Sequence, residues 1–574
     1  MTIARALDAD QRADALEQLG AGELDVLVVG GGIVGVGAAL DAVTRGLRVG
    51  LVEQRDLASG TSSRSSKLVH GGLRYLEMFD FALVKEALEE RGLLLTRLAP
   101  HLVRPVPFLY PLQHAWERPY VGAGVALYDG MAMTGKYDMG VPKHKHIFRK
   151  QLARMAPDIR TDDLHGAIRY YDCQVDDARL VMTIARTAAN NGAHVATRTK
   201  VTAFLREGDR VVGARVRDLE GDRDIEVRAK VVINAAGVWT DEVQDLIGGQ
   251  AQLDVDASKG IHIVVPKDRI RSECGFITKT EKSVLFVIPW DQFWIIGTTD
   301  TPWDLDLAHP AASRADIDYV LGHVNRLLKD PLDQRDVVGV YAGLRPLLKP
   351  MRKEGEMGET TKLSREHTVA NPVPGLVLVA GGKLTTYRVM ARDAVDHALS
   401  RSEGAFDPIP QSITDRVPLM GAWGFEARSN QRVALSRSSG IDIGMVDHLL
   451  GRYGGLVDEV LALVHERPDL AEPLPGAEHY LQVEVLYAVT HEGARHLDDV
   501  LARRTRVSIE TFDRGIAAAR PAAELMAEAL GWDGAQLEDE VDHYLRRVEA
   551  ERQSQLMPTD QEADEARVKA PDIV

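Results

Sequence analysis

Gly30, Gly32 and Gly35 stand at the spacing GxGxxG directly after the apolar run Asp25-Val26-Leu27-Val28-Val29. No other feature restricts the fold of this chain as much. The run reads as a buried strand, and the alanine-rich stretch after the glycines reads as a helix ending near Gly46. Residues 48–52 read as a second strand, with the acid Glu53 at its end. One glycine permits the tight turn, the next lets a pyrophosphate approach the backbone, and the third lets helix and strand pack closely. The helix N-terminus offers free N–H groups and partial positive charge to phosphates. Glu53 is spaced to accept hydrogen bonds from ribose hydroxyls. With 50 glycines in 574 residues, the bare spacing arises by chance about 0.4 times. The order strand, turn, helix, strand, acid is what discriminates, and it predicts a dinucleotide-binding α/β domain with Gly30, Gly32, Ile33, Gly35 and Glu53 at the ligand.

A chain of this length predicts several domains. Lys and Arg total 69 against 85 Asp and Glu, a net charge of −16, which argues against non-specific nucleic-acid binding. An anionic substrate must then meet a local cluster of cations. Cys173 and Cys274 are the only cysteines; two cannot build a disulfide framework here, and no zinc spacing accompanies them. No metal site is expected. The polar N-terminus lacks the apolar core of a signal peptide, and no run reaches the roughly 18 apolar residues that crossing a bilayer needs. The expectation is a cytoplasmic protein, at most peripheral on the inner face of the cytoplasmic membrane.

Further along, residues 230–233 form an apolar strand that runs into Asn234-Ala235-Ala236-Gly237, where small residues allow close backbone approach to a ligand. Residues 286–289 and 293–297 read as a hairpin in an antiparallel sheet, with Trp290 and Trp294 as packing residues. Residues 376–380 are a buried strand; Gly381-Gly382-Lys383 turn the chain, and Thr385 is placed to cap the helix that follows. The stripes Ala522, Leu525, Met526 and Leu537, Val541, Tyr544, Val548 predict two helices separated at Gly531. Glu538 to Glu540 read as a solvated helix face, and the polar tail 556–574 as flexible. Lys143-His144-Lys145-His146, with Arg149 and Lys150, reads as a solvated loop, with a membrane-surface patch as the alternative.

Residues 57–76 carry four hydroxyl side chains around Arg64, then Lys67 and a His-Gly-Gly turn. Hydroxyls and backbone N–H groups in this place can wrap a pyrophosphate and a flavin edge. The stretch GTSSRSSKLVHGGLRYLE resembles the signature of FAD-dependent glycerol-3-phosphate dehydrogenases. The blocks RYYDCQVDDARL, NAAGVWTD, SKGIHIVVP, FVIPWDQFWIIGTTD, YAGLRPLL, LSREHTV and GGKLTTYRVM follow in the order of that family.

The resemblance implies a glutathione-reductase-like FAD-binding Rossmann domain, an α+β substrate domain with an antiparallel sheet, and a C-terminal α-helical domain. The expected pieces are 22–100, 170–245 and 366–400 for FAD, 101–169 and 246–365 for substrate, and 410–555 for the helices. It adds Thr61, Ser62, Ser63, Ser66, Lys67, Leu68, His70, Ala236, Gly237, Gly382, Lys383, Leu384 and Thr385 to the FAD contacts. It implies oxidation of sn-glycerol 3-phosphate to dihydroxyacetone phosphate by hydride transfer to flavin N5, with a membrane quinone as acceptor. A homodimer stays open. Arg74, Tyr75, Arg345, Arg365, Lys383 and Thr385 are the implied substrate contacts, since an arginine fork suits a phosphate. Arg345 is placed by the C2 oxygen, and His70 and His262 are the two candidates for general base. The alternatives are an oxidase that reduces oxygen to hydrogen peroxide, an amino-acid oxidase, which needs fewer cations, and a non-catalytic binding protein on the same fold.

Overall fold

The computed structural model describes residues 5–77, 79–248, 254–280, 284–348, 367–401, 406 and 408–570, with only the backbone of Arg74 and Glu77. Strand Leu24–Val29 pairs in parallel with Val49–Val52 on one side and with Arg223–Asn234 on the other. His194–Ala196 and Leu376–Gly381 extend the parallel sheet outward, and the antiparallel strand His367–Val373 closes one edge. These strands are rich in Val, Leu and Ile because both faces are covered. Helices Ile33–Thr44, Asp177–Asn190 and Tyr387–Ser400 bury their apolar residues against one face. Helix Ala9–Gly20 and the hairpin Thr199–Glu207/Arg210–Asp218 cover the other.

The second sheet is antiparallel apart from one parallel join between Gly275–Lys279 and Arg104–Leu112. Its long strand Val255–Pro266 lies between Phe293–Gly297 and Gly339–Leu348. The expected hairpin is present as Val284–Trp290 and Phe293–Gly297. Both tryptophans are packing residues: Trp294 is fully buried, and the Trp290 Nε1–H donates to Glu510 at 2.6 Å. Strand Gly166–Gln174 belongs to this sheet, so the boundary expected at 170 falls inside a strand. At the far edge the two-residue strand Leu68–Val69 pairs with it. The loop after Glu53 therefore leaves the parallel sheet and is stitched into the second one.

The C-terminal helices enclose their own core. Helix Ile516–Leu530 ends at Gly531, whose φ of 70° suits a left-handed cap. Helix Gly534–Ser554 buries Val541, Tyr544 and Val548. Two expectations are corrected here. Residues 556–570 are not a free tail: helix Asp560–Arg567 buries Ala563 and Ala566, and Asp560 accepts a hydrogen bond from Lys259 at 2.6 Å. An isolated polar segment looks disordered in sequence, but this one docks its few alanines on the substrate domain and pairs its charge with a buried lysine. Likewise Glu538 is solvated, whereas Glu540 is buried and accepts from the Leu497 N–H and the His496 ring.

His496 joins Glu540 at 2.7 Å to Glu220 at 3.0 Å, tying the helical domain to the hairpin region of the first sheet. Burial opposes its charge, but the hydrogen bonds to Glu220 and Glu540 prevail and hold its pKa up at about 9. A raised folded-state pKa gives stability that is complete below the unfolded value of about 6.5 and fades as pH rises through the folded value. The unfolding temperature of His496→Asn should therefore lie well below that of the parent protein at about pH 6, and the gap should narrow as pH rises past about 9. A thermal-unfolding series across pH checks this; a gap that is independent of pH would contradict it.

Candidate active site

The glycine turn sits at the C-terminal end of strand Leu24–Val29, the place where open α/β sheets bind ligands. A Cβ on Gly35 would lie 1.9 Å from the Gly30 carbonyl oxygen, so helix and strand approach here only because the side chain is absent. Gly30 itself has φ 110°. Gly32 caps the helix without a side chain, leaving its first N–H groups to other acceptors. One is taken by Ser62, whose Oγ accepts from the Ile33 N–H at 2.9 Å. Glu53 is held at the rim: its Oε2 accepts from the Gly31 N–H at 2.6 Å and its Oε1 from the Arg55 N–H at 2.7 Å. Burial raises its pKa, against these two bonds.

These residues line a cleft of ≈ 1290 Å³ including its open mouth. Of the expected cofactor contacts it brings together Gly30, Gly32, Ile33, Glu53, Thr61, Ser62, Ala236, Gly237, Gly382, Lys383 and Leu384. The donor set fits a dinucleotide: a bare helix N-terminus, two hydroxyls and a carboxylate at the end of the second strand. Ser63, Lys67 and Leu68 are turned away from it. Lys67 is buried with its Nζ on Asp177 at 2.6 Å and on the Ser63 carbonyl at 3.0 Å. Its burial and the nearby Arg506 pull its pKa down, against Asp177. Its ammonium is thus held behind the cleft by Asp177 and is not turned to the cleft.

A second pocket, ≈ 1720 Å³ with its mouth, adjoins the cleft. The two share a wall: Ser65 and Pro346 face the cleft, Ser66 and Arg345 face the pocket. His70 and Tyr75 line the pocket as well. Arg345 lies across strand Val255–Pro266, with Nη2 donating to Thr298 Oγ1 at 2.9 Å and to the Thr299 carbonyl at 3.1 Å, and Nη1 3.3 Å from Asp300. Gly260 makes that possible, because a Cβ there would come within 2.4 Å of the guanidinium. Lys383 reaches over from the cleft, its Nζ 3.8 Å from the centre of the Tyr75 ring, a cation–π contact.

His262 does not line the pocket. It is fully buried, stacked on Tyr341 at 4.8 Å, and its Nε2 meets the Ser66 hydroxyl at 2.8 Å. Burial, with Arg345 and Lys67 nearby, pushes its pKa well below the ordinary histidine value, so the ring is neutral. Thr385 is corrected in two respects. It neither caps the helix nor faces substrate; its hydroxyl accepts from the His70 N–H at 3.1 Å and donates to the His70 carbonyl at 3.3 Å. Arg365 and the side chain of Arg74 lie outside the described residues.

Some functional groups escaped the sequence reading. Asp172 is buried at the pocket wall, where it accepts from Tyr128 at 2.6 Å and from Arg91 at 2.8 Å; Tyr128 in turn accepts from the Gly71 N–H at 2.8 Å. This network holds the His-Gly-Gly turn. Asp172 lies inside the RYYDCQVDD block, and Thr298 and Asp300 inside the GTTD of the hairpin block, which was the available signal. Among the described residues no cluster of His, Cys, Asp and Glu could hold a metal ion.

Residues 25–388 match the FAD dependent oxidoreductase family, and residues 412–537 match the C-terminal domain of alpha-glycerophosphate oxidase. The chain is 55% identical to a glycerol-3-phosphate dehydrogenase of Mycobacterium leprae over 99% of its own length and 95% of that protein's. It is 36% identical to the mitochondrial glycerol-3-phosphate dehydrogenase of Bos taurus, over 91% of this chain and 72% of that one. The structure of a glycerol-3-phosphate dehydrogenase from Bacillus halodurans complexed with FAD superposes with a TM-score of 0.77 at 29% identity, covering 95% of this chain and 98% of that one.

Gly35→Ala should yield protein that purifies without flavin. The added methyl forces helix Ile33–Thr44 off the strand, and misfit of this kind costs enough to lower affinity by about tenfold or more. Flavin absorbance per chain, measured beside far-ultraviolet circular dichroism, separates loss of cofactor from loss of fold; a fully flavinated variant would contradict the close-packing argument.

Proposed function

The chain belongs to the FAD-dependent glycerol-3-phosphate dehydrogenases, and from that membership we propose that it oxidises sn-glycerol 3-phosphate to dihydroxyacetone phosphate and passes the electrons to a membrane quinone. The observation that carries this reading is the shared wall between a glycine-lined dinucleotide cleft and a pocket presenting Arg345, His70 and Tyr75. When bound, FAD would supply the hydride acceptor for the C2 hydrogen.

The chain's own groups then have three tasks. Lys383, Arg74 and Arg365 clamp the phosphate; planar forks and an ammonium together match its oxygens. Tyr75, with Lys383 over its ring, keeps that ammonium turned to the pocket. Arg345 stabilises alkoxide character on the C2 oxygen, and it is held for that role by Thr298, Thr299 and Asp300. His262 takes the hydroxyl proton through Ser66, whose hydroxyl faces the pocket and meets the His262 Nε2 at 2.8 Å. Burial, with Arg345 and Lys67 nearby, keeps the ring neutral, as an acceptor must start, and the same surroundings make it a weak base. His70, on the pocket wall, shapes the site and is the second candidate for the proton.

The mouth of the pocket supports a membrane-borne acceptor. Phe79 and Tyr120 line it while remaining 78% and 60% exposed, and Trp116, at 62%, stands at the start of the same helix Glu117–Met133. Exposed aromatics of this kind suit the interface of a bilayer. Phe148, also exposed, adjoins the basic stretch 143–150, which adds attraction to anionic lipid. No helix among the described residues is long and apolar enough to cross a membrane, so contact would be peripheral.

Anaerobic mixing with sn-glycerol 3-phosphate should bleach the flavin absorbance, and a quinone analogue should restore it without peroxide. Restoration by oxygen with stoichiometric peroxide would replace this reading by the oxidase, and absence of bleaching would refute the substrate. In the same assay Arg345→Gln should lower kcat by about 10²–10³-fold. Ser66→Ala and His262→Gln should each lower it by about 10²-fold or more; a near-normal kcat in both, with a large loss in His70→Gln, would transfer the proton to His70.

A further inference from the structure

A third cavity, ≈ 1200 Å³ with its mouth, lies where the three parts of the chain meet, on the opposite side of the 61–66 loop from the substrate pocket. Its walls come from that loop, from residues 308–312 of the substrate domain, and from helices Gly534–Ser554 and Asp560–Arg567. Seven arginines line it, against two carboxylates, Asp498 and Glu551.

Most of that charge is already met. Arg503 pairs with Asp56, Asp498 and Asp499, and Arg506 with Asp176 and Asp177. Arg64 is different. Its Nη1 donates to the Ala308 carbonyl at 3.0 Å, and among the described residues it forms no ion pair. Burial, with Arg503 and Arg567 facing it, brings its pKa down to about 10. Arg547 lies between Asp498 at 2.9 Å and Glu551 at 2.7 Å, and Glu551 also faces Arg567 at 3.7 Å. The Nη2 of Arg547 is buried with no hydrogen-bond acceptor among the described residues. The Arg567 Nη2 stands 3.1 Å from the His309 ring. A buried guanidinium without an anion is costly, and a cavity that sets the unpaired Arg64 of the loop beside Arg547 and Arg567 of the helical domain, which share one carboxylate, has the chemistry of an oxyanion receptor.

We propose that this cavity is a second anion site, which takes a tetrahedral oxyanion of the phosphate class between Arg64, Arg547 and Arg567. It is separate from the phosphate clamp of the substrate pocket and does not rest on the assignment of substrate. Its position gives it a means of acting on the active site. Arg64 follows Ser62 and precedes Ser66 in one loop, and its Cβ and carbonyl pack on Gly343, two residues from Arg345. An anion bound to Arg64 would fasten that loop to the helical domain and stiffen the wall shared by cleft and pocket.

Selenate, a tetrahedral dianion with anomalous scattering, is the probe. In crystals of the FAD-loaded enzyme at saturating selenate, an anomalous peak is expected within hydrogen-bond reach of the Arg64 guanidinium. In Arg64→Met that peak should vanish while any peak in the substrate pocket stays; Arg567→Gln, nearer the chain end, serves if Arg64→Met does not fold. In solution, with the substrate pocket filled by dihydroxyacetone phosphate, inorganic phosphate should raise the unfolding temperature of the parent enzyme and not that of the variant. The absence of a cavity peak in the parent protein, or a peak and a phosphate-dependent shift unchanged in the variant, would overturn the proposal.

Discussion

Two adjacent carboxylates, Asp176 and Asp177, hold the parts of this protein together. They begin helix Asp177–Asn190, where the free N–H groups favour negative charge. Asp177 accepts from Lys67 and from Arg506, both at 2.6 Å, and from the backbone and hydroxyl of Ser65. Asp176 binds Arg506 and lies 3.5 Å from Arg452 of the helical domain. These arginines hold the Asp176 carboxyl well below the usual carboxylate range, despite its burial. Removing one partner of such a buried cluster strands a charge in a dry place, at a cost of about 3–5 kcal/mol. The loop that carries Ser62, Ser66 and His70 is thus clamped from behind by ion pairs, before any ligand arrives. This explains how a helical domain that lines neither the cleft nor the substrate pocket still supports both.

The same arrangement separates what could be read along the chain from what could not. Gly30, Gly32, Gly35 and Glu53 were legible because their roles follow from local order: strand, turn, helix, strand, acid. The stripes ending at Gly531 were legible because helical periodicity is a short-range property. Lys67 was misread because its environment is set by Asp177, which spacing cannot bring near. Thr385 was misread for a similar reason, since its hydroxyl is engaged by the backbone of His70, 315 positions away. The segment 556–570 looked unstructured because its polar residues find their partners on another domain, where Lys259 waits for Asp560. The burial of His262 behind Ser66 could not be read from the sequence, because it is a fact of packing between strands Val255–Pro266 and Gly339–Leu348.

Those two strands also prepare Arg345 for the role proposed for it at the substrate oxygen. The guanidinium is planar and needs a flat bed; Gly260 leaves the space, and Thr298 and Asp300 fix the plane. Because the donors are aligned in advance, little reorganisation accompanies the development of charge at the substrate, which is where electrostatic catalysis gains most. The neighbouring Asp172 does not spoil the site for an anion, since Arg91 and Tyr128 absorb its charge away from the pocket.

The charge balance of the whole chain follows from this local economy. With a net charge of −16, the outer field repels a phosphate ester, and long-range steering cannot be what brings substrate in. Attraction must begin within about one Debye length of the pocket, roughly 8 Å at physiological ionic strength. At that range the cations nearest the pocket, Arg345 and Lys383, act on the ester directly. The exposed aromatics at the pocket mouth bring a second consequence. In the proposed reading, a protein with this net charge would meet an anionic bilayer only through a less acidic face, and the mouth of the pocket is the face proposed for it.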